Sequence, residues 1–177
     1  FIVMEYIQSG FQNDSFWKSF ASGLARLHRH HQEQAGLDHN NYIGSLFQDN
    51  EYHPSWNEFF ILKRLLPLIK DGRNAGMLND ADIKAFERLF NQLLSIFPNE
   101  PVSLLHGDLW NGNFMADTFH EPFIFDPAVY YGFREMDIAM TRLFGGLPEI
   151  FYAAYNEYYP LESGWDERID ICNLYPL

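Results

Sequence analysis

The chain has 177 residues, 47% hydrophobic and 18% aromatic, which supplies the core of one folded domain and excludes a disordered chain. A formal net charge of -12 repels phosphate backbones, so nucleic acid and anionic membranes are excluded as partners, while a nucleotide carried with a divalent cation is not. There is no apolar run of about 18 residues and no basic leader, and the lone Cys172 offers no internal disulfide, a pattern that points to the reducing cytoplasm.

In chain order, residues 1–7 (FIVMEYI) are almost continuously apolar and predict a doubly buried strand, closed by a turn at Ser9-Gly10. A helix follows, capped by Asn13 or Asp14, with Phe16, Phe20, Leu24 and Leu27 on its apolar face. Residues 28–54 read as a long polar loop, and the HRHH run at its start reads as a solvated helix end. A second helix is expected from Pro54 through Leu66, broken over residues 70–76. A third starts near Asn79, carries Ile83, Phe86, Phe90, Leu93 and Phe97, and is stopped by Pro98. Short strands are expected at 102–105, 114–116 and 122–125, then helices at 135–144, 148–158 and 165–175. The fold class is mainly α with a small β-hairpin insert (α+β). The missing initiator Met and the abrupt end create the expectation of a piece of a longer chain.

The insert reads LLHGDLWNGNF and then FIFDPAVYYG, with Asp108 and Asn113 five apart and Asp126 13 residues further on. Phosphoryl transfer needs a carboxylate to receive the proton of the incoming hydroxyl, and oxygen ligands to hold a divalent cation against phosphates. A loop after a strand presents Asp108, and a hairpin with its turn at 117–121 returns Asp126 toward Asn113. His106 reads as a strut that bonds backbone near Asp126. Trp110 reads either as ordinary loop packing or as a ring set against a ligand, and the amides of Asn41, Gln48 and Asn50 read either as turn formers or as donors and acceptors suited to hydroxyl groups. Arg134 and Glu135 read either as a border of the ligand site or as members of an internal ion pair.

The order Asp, Asn, Asp resembles the kinase catalytic loop with its metal-binding aspartate, and the HGD form resembles the aminoglycoside phosphotransferase and choline kinase-like group. The longer strings LLHGDLWNGN, FDPAVYYGFREMDIAM, LFGG, FYAAYNE and PLESGWDER, with LARLH, NNYIGS, QDN and WNEFF upstream, resemble the fructosamine kinase family along almost the whole chain. The resemblance implies an ATP- and Mg²⁺-dependent enzyme that phosphorylates the 3-hydroxyl of free or protein-bound ketosamines and so promotes deglycation. It implies the C-terminal lobe of a protein-kinase-like fold over 1–177, with a hinge at 1–7 and the catalytic loop and metal site at 106–126. Asp108 would be the base, and Asn113 and Asp126 the metal ligands. Met4, Glu5, Tyr6 and Ile7 would border the adenine, and Asp137 would accept N–H groups of the catalytic loop.

No glycine-rich phosphate loop and no strand lysine are found, so the ATP-clamping N-terminal lobe is expected to lie outside this chain and the chain alone to be inactive. The alternatives are a phosphotransferase acting on another small alcohol, such as an aminoglycoside or choline, and a non-catalytic pseudokinase. The presence of Asp108, Asn113 and Asp126 together speaks against the last.

Overall fold

Asn13 opens the first helix, its side chain accepting the Phe16 N–H at 3.0 Å, and α1 runs over Asp14–His28. The computed structural model describes residue 1 and residues 3–177. Phe16, Phe20 and Leu24 are buried on one face of α1, and the same spacing buries His28, which is no solvated helix end. The polar segment that follows is ordered. It holds β1 (His31–Gln32) and a hairpin of β2 (Asn41–Ile43) and β3 (Leu46–Gln48), turned at Gly44 with φ +54°.

Side-chain amides do the ordering. Asn41 Nδ2 donates to the Val129 carbonyl at 2.7 Å, while its Oδ1 accepts from Gln48 and Asn50 at 2.8 and 3.0 Å. Gln48 also donates to the Ala128 carbonyl and accepts the Tyr175 hydroxyl, and Asn50 accepts from the Arg64 guanidinium. A segment with few apolar residues is thereby tied to its neighbours through satisfied buried amides.

The second helical stretch starts two residues late and outlasts its expected break. α2 (Trp56–Phe59) is capped by Ser55 and leads into a π-helical turn (Phe60–Leu65) and then α3 (Leu66–Asn74). Pro67 has no N–H to give the Lys63 carbonyl four residues back, and Arg64 Nη1 donates to that carbonyl at 3.3 Å instead. The helix stops at Gly76, whose φ of +72° suits glycine. α4 (Asp80–Ile96) begins with a capping box between Asn79 and Asp82.

β4 (Val102–Leu105) is the middle strand of a small antiparallel sheet, flanked by β1 and by β7 (Tyr130–Gly132), a strand the residue pattern did not reveal. β5 (Phe114–Ala116) and β6 (Pro122–Ile124) form a separate hairpin. α5 (Glu135–Leu143) and α6 (Glu149–Tyr158) follow, and the last expected helix shrinks to one turn, α7 (Ile169–Cys172), between hydrogen-bonded turns. Helices carrying short antiparallel strands make the architecture α+β.

Two cores result. In one, Trp56, Phe59, Phe60, Phe97, Tyr130 and Phe133 pack with Leu105 at the end of β4. In the other, Phe16, Trp17, Phe20, Phe151 and Tyr155 pack with Leu109 and Phe114. Each fully buried ring contributes about 1.5–3 kcal/mol. The segment between Leu105 and Leu109 is therefore held at both ends by different cores.

Among the described residues of the expected strand at 1–7, none is in a strand. Residue Ile2 lies outside the described residues, and Phe1, Val3, Met4 and Tyr6 are exposed. A strand needs a neighbour to take up its N–H and C=O groups, and the chain is first tied down at Ser9, which bridges Asp117, and Gly10, whose N–H reaches the Ala116 carbonyl at 2.8 Å.

Candidate active site

At the end of β4 the chain turns through Gly107, with φ +81°. A Cβ there would lie 2.1 Å from the Ala128 carbonyl oxygen, so only glycine lets the two backbones approach. Two backbone bonds staple the loop to the strand returning from the hairpin: Ala128 N–H to the His106 carbonyl at 2.9 Å, and Phe125 N–H to the Asn113 carbonyl at 3.1 Å. Asp126 sits between the staples in the left-handed region (φ +55°), exposed, next in the chain to Phe125, which is bonded to Asn113. We expect Gly107→Ala to cost at least about 1–3 kcal/mol through the disfavoured φ alone, with the clash added. Urea unfolding measures it, and an unshifted midpoint would overturn this account of the turn.

Asn113 Nδ2 donates to both the carbonyl and Oδ2 of Asp108, each at 2.8 Å, which fixes the carboxylate and turns Asn113 Oδ1 the other way. Burial pushes the Asp108 carboxyl above the usual carboxylate range; the Asn113 hydrogen bond opposes this, and the negative charges of Asp126 and Asp137 add to it. A half-buried carboxylate held on one oxygen, with a raised proton affinity, is suited to receive a proton from an alcohol. His106 Nε2 donates to the Phe125 carbonyl at 3.0 Å, and its Nδ1 accepts the Asp108 N–H at 3.3 Å, so the ring spans the loop.

Beneath the loop lies Asp137, wholly buried in the first turn of α5. Its Oδ2 accepts the His106 N–H at 2.7 Å, and its Oδ1 the Gly107 N–H at 2.9 Å. His28 Nε2 donates to Oδ2 at 3.1 Å, and His28 Nδ1 accepts the Tyr155 hydroxyl at 2.7 Å. Burial alone would raise the Asp137 carboxyl; the hydrogen bond from His28, the electrostatic attraction of the His28 and His106 rings and the Gly107 N–H outweigh it and hold it below its ordinary value.

The other residues singled out from the sequence divide in two. Trp110 is partly exposed beside the loop, edge-on to Phe144 with ring centroids 5.5 Å apart. Gln48 and Asn50 are buried with their amides hydrogen-bonded in the β2–β3 network, and the half-buried Asn41 is bound into it, so in this structure all three serve internal contacts. Arg134 is likewise internal: it pairs with both Glu100 oxygens at 2.8 and 2.6 Å and with the carbonyls of Tyr159 and Pro160, while Glu135 pairs with Arg168. Met4, Glu5 and Tyr6 are exposed and Ile7 half-buried, in no strand. A cavity of about 460 Å³ between α1 and β6 and one of about 680 Å³ between Trp56, Phe97 and Pro101 have neither Asp108 nor Asp126 in their walls.

The family profile described as fructosamine kinase matches residues 1–177. The chain belongs to the fructosamine kinase family. It is 44% identical, over 99% of its length and 60% of the relative's, to a Vibrio parahaemolyticus protein named a probable ketoamine kinase. It is 34% identical, over 99% of its length and 54% of the relative's, to the chloroplastic protein-ribulosamine 3-kinase of Arabidopsis thaliana. The crystal structure of a candidate fructosamine-3-kinase from Thermobifida fusca superposes with a TM-score of 0.90 at 35% identity, covering 98% of this chain and 60% of that one. The chain thus spans about 60% of the length of the first of these curated relatives.

Within this fructosamine kinase family chain, residue reasoning missed His28 and the Arg64 strut. The signal for His28 was present: it follows Phe20 and Leu24 at intervals of four, on the buried face of α1. For Arg64, stacked on Phe59 and Tyr130 within 4.5 Å of each ring centroid, the sequence carries no such sign.

Proposed function

We propose that the polypeptide carrying this chain is an ATP-dependent kinase that phosphorylates the 3-hydroxyl of ketosamines and so leads to release of the amine. The observation that carries it is the Asp108–Asn113 clamp stapled beside Asp126, in a chain of the fructosamine kinase family. With Oδ2 held by Asn113, Oδ1 of Asp108 receives the proton of the 3-hydroxyl as that oxygen bonds the γ-phosphorus of ATP and ADP departs. Trp110 lies along the sugar.

The donor set fits Mg²⁺. Asn113 Oδ1 and the exposed Asp126 carboxylate offer hard oxygen ligands. Among the described residues there is no cluster of three or more His, Cys, Asp or Glu to form a closed cage, which matches an ion that keeps most of its shell as water and phosphate oxygens. Bound there, Mg²⁺ would neutralise phosphate charge.

In this reading 1–177 is the C-terminal lobe of a kinase-like fold. The backbone at Met4, Glu5, Tyr6 and Ile7 borders the adenine, the remaining nucleotide contacts lie on an N-terminal lobe, and the isolated chain is inactive. The exposure of Phe1, Val3, Met4 and Tyr6 and the greater length of the relatives support it. No helix among the described residues is long and apolar enough to cross a membrane.

The test is ADP release by the full polypeptide with a ribulosamine or fructosamine. Asn113→Ala and Asp126→Ala should each raise the Mg²⁺ concentration for half-maximal rate by at least the roughly 10- to 100-fold that lost support of a metal ligand costs. An unchanged Mg²⁺ requirement in both variants would remove them from the metal site, and the absence of ketosamine phosphorylation by the unaltered enzyme would overturn the reaction itself.

A further inference from the structure

Two residues past Asp108 the chain presents a ring, and 34 residues further on it presents another against it. The outer edge of the Trp110 six-membered ring is seated on Gly112, where a Cβ would come within 2.3 Å of Cη2. The Trp110 ring therefore lies flush against the backbone at Gly112. Phe144 stands at the C-terminal end of α5 as its cap, and the chain leaves it through Gly145 and Gly146 with φ of +102° and +79°. That double glycine turn ends the helix and leaves the Phe144 ring beside Trp110, the two planes at 62°.

Exposure rises outward along this path: Asp108 is half-buried, Trp110 is 38% exposed and Phe144 is 59% exposed. The burial of a Phe in a core stabilises the fold, but a mostly exposed one contributes little to it, and an exposed aromatic corner beside a catalytic carboxylate is placed for a ligand.

We propose that Phe144 is a specificity-determining residue that, with Trp110, contacts the amine-bearing end of the ketosamine. This rests on the ketosamine kinase reading. The reacting hydroxyl must lie at Asp108. A macromolecular amine cannot follow the sugar inward, so its end of the substrate points outward, where Phe144 is. The secondary amine of a ketosamine is protonated at neutral pH, and a cation is drawn to aromatic faces even at an exposed site. Trp110 takes the part nearest the reacting carbon, and Phe144 takes the ammonium and the first carbons of the amine substituent.

The experiment compares kcat/KM of the full polypeptide for a 1-alkylamino ketose and for its neutral 1-alkoxy isostere, which keeps the bulk and loses the charge. Phe144→Ala should lower the preference for the amino over the alkoxy substrate by about three- to tenfold, and Phe144→Tyr, which keeps the ring, should retain it. Loss of packing alone would depress both substrates equally and leave the ratio unmoved, and that result overturns the proposal. A ratio that falls equally in Phe144→Ala and Phe144→Tyr also overturns it. If the unaltered enzyme phosphorylates neither substrate, it is the ketosamine reading that fails.

Discussion

Asp108→Ala is expected to lower kcat on a ketosamine by about 10²–10⁴-fold, the usual worth of a positioned general base. The loss belongs in kcat, because the carboxylate engages the hydroxyl proton chiefly as it moves; an effect confined to KM would contradict the base assignment, and full activity would remove it. The environment adds a second, independent signature. Burial holds the Asp108 carboxyl above its unfolded value, against the Asn113 hydrogen bond. The acid limb of the pH–rate profile should therefore lie above the ordinary aspartate range near pH 3.9. The sign for stability is the opposite of that for a salt-bridged carboxylate. A group whose folded affinity for protons is raised destabilises the fold once it ionises, so above its folded value Asp108→Asn should leave stability unchanged or raise it. A clear loss of stability at neutral pH in Asp108→Asn would mean that the carboxylate holds the loop together instead of acting on a substrate.

The largest structural effect is expected at Asp137. Removing its carboxylate leaves the His106 and Gly107 N–H groups and the buried His28 without their acceptor. Breaking a buried charged partnership of this kind costs about 3–5 kcal/mol, so Asp137→Ala should unfold at markedly lower urea and lose activity together with the loop geometry. The pH dependence follows from the lowered Asp137 value. The stabilisation is fully present above the unfolded aspartate value of about 3.9 and is lost as the pH falls through the lower folded value. The difference in unfolding free energy between the wild type and Asp137→Ala should therefore be constant from neutrality down to about pH 4 and shrink on further acidification. A difference that persists unchanged into stronger acid would show that His28 and the loop are held by something other than this charge.

His28 lies behind both results, and it makes a physical link between α1 and the loop that carries Asp108. The Tyr155 hydroxyl, His28, Asp137 and the Gly107 N–H form a chain of hydrogen bonds from α6 through α1 and α5 to the catalytic loop. Each buried polar group in it is satisfied by the next, which is why a run of polar atoms is tolerated at the centre of an aromatic core.

The sequence by itself determined what depends on near neighbours along the chain. The caps and apolar spacing of α1 and α4, the short strands around the insert and the spacing of Asp108, Asn113 and Asp126 were all legible, because turn chemistry and side-chain periodicity act over a few residues. What only the tertiary structure decided depends on which distant groups meet. Residues 1–7 have the composition of a buried strand but no partner to pair with among the described residues, so apolar content alone does not make one. Gln48, Asn50 and Arg134 look like surface groups in a sequence and are buried, because their partners Tyr175, Arg64 and Glu100 lie 127, 14 and 34 positions away. β7 carries no alternating pattern of its own and forms because β4 offers it an edge. Burial and hydrogen-bond partnership are properties of the assembled chain, and they turned amides expected at a sugar site into struts and a histidine expected in solvent into a support of the catalytic loop.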